Sequence, residues 1–105
     1  MDPKKRKKLE GKGWTVGSAQ DLLGLSDEEM QIVEMKAALI AAVRTCRERK
    51  GITQTDLAKK IGSSVARISK LENGSPDISF ELVLRALIAL GVSKKKIGET
   101  ILRAA

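Results

Sequence analysis

The chain contains no histidine and a single cysteine, Cys46. Imidazole catalysis, Cys/His zinc sites and a disulfide framework are therefore excluded. Tyrosine is also absent, and Trp14 and Phe80 are the only aromatic residues among 105. A core must then be assembled from Leu, Ile, Val, Ala and Met, side chains that suit packed helices better than a sheet sandwich. No stretch approaches eighteen consecutive apolar residues, and the basic N-terminus lacks the apolar run of a signal peptide. The expectation is a soluble protein of the reducing cytoplasm with no membrane partner. A length of 105 residues admits one compact core and not two.

What is present in quantity is positive charge. Twenty Lys and Arg against thirteen Asp and Glu leave a formal charge of +7, which draws a chain of this size to polyanions. The charge is segregated: residues 1–12 hold six bases and two acids, residues 36–70 hold nine bases and two acids, and the remainder is net acidic. The run Lys4-Lys5-Arg6-Lys7-Lys8, flanked by Pro3, Gly11 and Gly13, repels itself and has little to bury, so residues 1–13 read as a flexible, disordered basic arm. Three roles stay open for it: a solubilising or unspecific tail, a DNA-contacting arm, and a targeting signal. Residues 14–25 form an N-terminal extension in which Ser18 to Leu23 accommodate one or two helical turns. Trp14 either covers the core or belongs to a partner site.

Residues 26–105 read as a helical domain. Ser26 and Glu29 have capping-box spacing and open a long helix to Arg49, whose inward stripe is Val33, Ala37, Ile40, Val43 and Cys46. The acids Asp27, Glu28 and Glu29 are explained by capping and the helix dipole, since successive helical residues cannot converge as a catalytic pair. Arg47, Arg49 and Lys50 suit the negative end of the same dipole. Cys46 reads as a small core hydrophobe. Thr53 caps a second helix carrying Leu57, Ala58 and Ile61 on one face, and Gly62 ends it in a left-handed conformation. Ser63 and Ser64 both offer the next cap, followed by a helix with Ile68 and Leu71 inward. The cluster Asn73-Gly74-Ser75-Pro76-Asp77 is a turn. Ser79 and Ser93 cap two more helices, for a total of five in an all-α fold.

Two short helices joined by a tight glycine turn, the second of them basic, can place a helix in the DNA major groove. Here Ala58 is small where the helices approach, Gly62 permits the turn, and Leu57, Ile61, Ile68 and Leu71 form the wedge that sets their angle. The motif spans residues 53–73. Thr53-Gln54-x-x-Leu57-Ala58-x-x-x-Gly62-x-Ser64-x-x-Arg67-Ile68-Ser69-Lys70-Leu71-Glu72-x-Gly74 resembles the helix-turn-helix of the phage lambda Cro and repressor (XRE) family. Within that family, residues 21–102 look most like HigA-type regulators and antitoxins.

The resemblance implies a lambda-repressor-like fold and particular roles. Gln54 would contact a DNA phosphate and brace the recognition helix. Ser64, Val65, Ala66, Ser69 and Lys70 would face base edges, while Arg67 and Asn73 would reach the backbone. Position 65 often holds Gln in the family, where the amide reads adenine; Val65, with Ala66, suits thymine methyl groups instead and shifts readout towards Lys70 and Arg67. The expected function is a nucleoid-associated, sequence-specific repressor that binds double-stranded DNA as a homodimer, with Ile97, Ile101 and Leu102 at the dimer surface. The alternative is an antitoxin that neutralises a ribonuclease-like toxin through residues 14–25 and represses its own operon. No catalytic residues, metal or cofactor are expected, because the chain lacks a histidine, a phosphate loop and a convergent carboxylate pair.

Overall fold

Hydroxyl side chains set most of the helix starts. The computed structural model describes residues 16–104 as α1 (Val16–Leu23), α2 (Asp27–Arg49), α3 (Gln54–Ile61), α4 (Val65–Glu72), α5 (Phe80–Ala89) and α6 (Lys94–Arg103), with no strand among them. Ser26, Thr53, Ser64, Ser79 and Ser93 each accept a backbone N–H from the first turn of the helix that follows. Ser26 with Glu29, and Thr53 with Asp56, complete reciprocal capping boxes. Of the two serines in the motif turn, Ser64 is the cap.

Among the described residues there are six helices rather than the five expected. The additional one is α1, and its tie to the rest explains why so short a segment is ordered. The Gln20 amide donates to the Leu25 carbonyl at 3.1 Å and to Asp27 at 2.9 Å, bridging the end of α1 to the start of α2. The basic arm expected at residues 1–13 and Trp14 lie outside the described residues.

The core is a continuous cluster built from Leu39 and Val43 of α2, Leu57 and Ala58 of α3, and Ile68 and Leu71 of α4. Leu82, Val83, Ala86 and Leu87 of α5, with Ile78 and Leu90 at its ends, close it. Helix α2 runs along α5 and α6, while α3 packs on α4 and α5. The stripe expected on α2 is corrected at its N-terminal end, where Val33 is 44% exposed, and the fully buried centre is Leu39. Helix lengths explain the difference. At 1.5 Å per residue α2 is ~34 Å long, against ~12–15 Å for each helix packed on it, so those helices do not cover all of it: Ile32 and Val33 are exposed, although Met30 in the first turn is buried. Ile40 and Cys46 pack against the core as half-buried neighbours. No helix of the described residues is long and apolar enough to cross a membrane.

Truncating Leu39 to Ala removes a fully buried side chain and is expected to cost about 2–5 kcal/mol in urea unfolding, whereas Val33→Ala should stay within about 0.5 kcal/mol. Equal losses for the two variants would contradict this placement of the α2 stripe.

Candidate nucleic-acid interface

The α3–α4 angle is set first by apolar contact. Leu57, Ala58, Ile68 and Leu71 are buried between the two helices, and Ile61 packs against them at the edge. The turn closes by hydrogen bonds from Gly62 N–H to Lys59 O (3.3 Å) and from Ser63 N–H to Ala58 O (2.8 Å). Such a closure requires a left-handed residue, and Gly62 supplies it at φ 66°, ψ 38°.

A buried polar constellation then locks the recognition helix α4 to the rest. The Glu72 carboxylate, with its side chain only 3% exposed, accepts Arg47 Nε at 2.6 Å, Arg47 Nη2 at 2.9 Å and Gln54 Nε2 at 3.1 Å. Arg47 Nη1 also donates to the Ile52 carbonyl at 2.9 Å. One guanidinium therefore joins the end of α2, the α2–α3 linker and the end of α4, while Gln54 adds the start of α3. Bracing by Gln54, expected from the resemblance, is present as this hydrogen bond. Burial pushes the Glu72 carboxyl up, but the hydrogen bonds from Arg47 and Gln54 and the Arg47 charge outweigh it, so the group lies below its ordinary 4.5. The Glu72 hydrogen bond in turn raises the Arg47 guanidinium.

Arg47 and Glu72 tie α4 to α2, a role that the sequence reading did not assign to them. Their signal was periodicity: Arg47 stands eight residues after Leu39 and four after Val43, and Glu72 four after Ile68. Each is a charge on an otherwise inward stripe, and a charge so placed requires a buried partner.

The outward surface of α4 carries the remaining expected residues. Ser64, Val65, Ala66, Arg67, Lys70 and Asn73 are exposed, and Ser69 is half-buried. Val65 is 42% exposed, an uncovered β-branched side chain on a helix only eight residues long. Ser64 uses its hydroxyl to cap Arg67 N–H at 3.2 Å, and Asn73 sits at the C-cap. Lys70 Nζ lies 3.9 Å from Asp77 Oδ2, and Asp77, which accepts the Ser75 hydroxyl, has its carboxyl held below the ordinary range chiefly by that hydrogen bond. Seven of the eight candidate residues thus lie on or cap one exposed helix, with Gln54 set back to brace it.

A family model described as Helix-turn-helix matches residues 43–97, more than half of the chain. The chain belongs to the XRE-type helix-turn-helix family. The matched stretch begins at Val43, one turn before Arg47, and ends at Ile97 in α6, so it holds the whole wedge and the whole polar constellation. No curated protein and no solved structure matches the chain. As an XRE-type protein it is a DNA-binding transcription regulator.

The direction of the Glu72 shift fixes a pH dependence. A carboxyl whose folded value is below its unfolded value contributes stability that is fully present above the unfolded value and is lost as pH falls through the folded one. The wild type should therefore weaken progressively below its ordinary value of 4.5. Glu72→Gln should cost about 3 kcal/mol at pH 7, where it strands Arg47, and should show a shallower acid limb in chemical denaturation. An acid limb as steep as that of the wild type would remove Glu72 from this role.

Proposed function

We propose that this XRE-type regulator represses transcription by occupying a two-fold symmetric operator as a homodimer, reading bases with α4. The observation that carries the reading is the exposed α4 surface, held at a fixed angle by the Arg47–Glu72–Gln54 constellation. Ser64, Val65, Ala66, Ser69 and Lys70 face base edges; Arg67 and Asn73 reach the sugar-phosphate backbone, and Gln54 adds a phosphate contact at the start of α3. A single short helix reads only a few base pairs, and a dimer supplies the missing affinity and site length.

The dimer surface is assigned to α6 and the N-terminal half of α2. Ile97 and Ile101 of α6 pack partly against the core, so the exposed member of the expected trio is Leu102, at 75%. It borders a groove of about 400 Å³ lined by Met35, Ile101 and Leu102 with Gln31, Glu34 and Ala104. The antitoxin reading is favoured by one observation: Leu22 and Leu23 at the end of α1 are 66% and 67% exposed, an apolar pair suited to a partner protein. Co-expression with the product of the adjacent reading frame separates the two, since only an antitoxin forms a stable complex that silences a ribonuclease. Under either reading the protein acts by binding rather than catalysis, in the cytoplasm and on the nucleoid, with no cofactor.

On an operator selected from a random duplex pool, Lys70→Ala should weaken binding about tenfold or more and relax preference at one or two positions, as expected for loss of a base contact. Gln54→Ala should weaken binding on all sequences alike. Gel shifts unchanged by both substitutions would refute this assignment of the reading face. Deleting residues 1–12 should reduce the salt dependence of binding more than its sequence preference, whereas an unaltered salt slope would exclude phosphate contacts by the basic run.

A further inference from the structure

A cleft of about 550 Å³ opens beside the motif turn, lined by Ile61, Gly62, Ser63, Ser64 and Arg67 on one side and Leu82 and Arg85 of α5 on the other. Its charged side chains are two arginines, and it contains no acid. Arg67 and Arg85 are both exposed, and neither has an ion-pair partner among the described residues. The cationic residues near the domain's other acids behave differently: Arg44 pairs with Glu48, Arg47 with Glu72, and Lys70 lies against Asp77.

We propose that this cleft is a phosphate site, in which Arg85 together with Arg67 holds one backbone phosphate of the bound duplex. The chemistry selects the ligand class: two guanidiniums with fork geometry fit the non-bridging oxygens of a phosphodiester. The location selects the source. Arg67 and Ser64 belong at once to the cleft and to the exposed surface of α4, so a duplex lying on α4 brings its backbone past the cleft mouth. Helix α5 thereby becomes part of the DNA footprint through Arg85, a residue that lies outside the helix-turn-helix motif itself. This extends the reading of α4 given above and rests on it.

Two measurements on the full-length protein test the site separately. In the first, the affinity for duplex DNA is measured across a salt series for the wild type, Arg85→Ala and Arg85→Lys. Arg85→Ala should reduce the slope of log affinity against log salt by about 0.9 per protomer and raise Kd several-fold at low salt on specific and arbitrary duplexes alike. Arg85→Lys should recover most of the slope. In the second, inorganic phosphate is titrated while amide shifts are followed by NMR, and Ser63, Ser64 and the Arg85 Nε–H should move together in the wild type but not in Arg85→Ala. Normal DNA binding with an unchanged slope in Arg85→Ala overturns the proposal, and does so even if free phosphate perturbs the cleft, because the site would then serve a soluble anion. A wild type that binds no DNA but shows the concerted phosphate shifts would instead defeat the α4 reading, together with the DNA source assigned to this site.

Discussion

Three hydrogen bonds to one buried carboxylate hold the reading surface of this protein in place. Glu72 closes the recognition helix, and its partners come from the end of α2 and the start of α3. An unpaired carboxylate in that position would be expelled or neutralised, so the charge is tolerable only when Arg47 and Gln54 are both in position. That condition is geometric. Apolar packing of Leu57, Ala58, Ile68 and Leu71 brings α3 and α4 together but allows some slip, since hydrophobic contact has no direction. A bidentate guanidinium–carboxylate pair permits much less, and it therefore fixes the rotation of α4 about its own axis. The residues that point outward, from Val65 to Lys70, are consequences of that rotation.

The arrangement divides labour between the two sides of an eight-residue helix. Ile68, Leu71 and Glu72 face in and are shared with the core; Val65, Ala66, Arg67 and Lys70 face out. Because the inward residues are so few, the domain recruits neighbours to rigidify α4: the hydroxyl cap at Ser64, the left-handed Gly62 before it and Gly74 after it. A helix this short is marginal in isolation. Its usefulness as a reader depends on a scaffold that leaves it only one pose, and the small, nearly aromatic-free core provides this through interdigitated aliphatic side chains and not through bulk.

Much of this was legible from residue order alone, and for identifiable reasons. Caps at Ser26, Thr53, Ser79 and Ser93 are local events, decided by a hydroxyl and three backbone N–H groups, so their spacing suffices to place them. The Gly62 turn and the Leu57–Ile68 wedge are legible because period and punctuation coincide there. What could not be read was tertiary in origin. Val33 satisfies the apolar period of α2 but is left partly open beside the end of α4 and the turn after it, and no sequence pattern states where a neighbour ends. Helix α1 depends on Gln20 reaching across to Leu25 and Asp27, a contact between segments. Arg47 was read as a favourable charge at a helix terminus, a local explanation that was sufficient and incomplete; its principal partner stands twenty-five residues away.

The same comparison separates fold from target. Residues that fix the pose of α4 are buried and mutually dependent, so altering one disturbs the others. Residues that face outward, Val65 and Ala66 above all, make few demands on the fold and are free to vary with the DNA they read. Val65 in particular offers only shape and methyl contact, which discriminates thymine by its C5-methyl group but makes no hydrogen bond to any base. Lys70 is an exposed cation on the helix face and is partly engaged by Asp77, an acid that would repel phosphates if the lysine turned away from it. That pairing opposes indiscriminate backbone contact at the centre of the reading surface and leaves net positive charge to its flanks, where Arg67 and Arg85 have no ion-pair partner among the described residues. On the proposed reading, specificity and attraction are carried by different parts of the same face: bases are met by a sparsely charged helix, and phosphates by the cations around it.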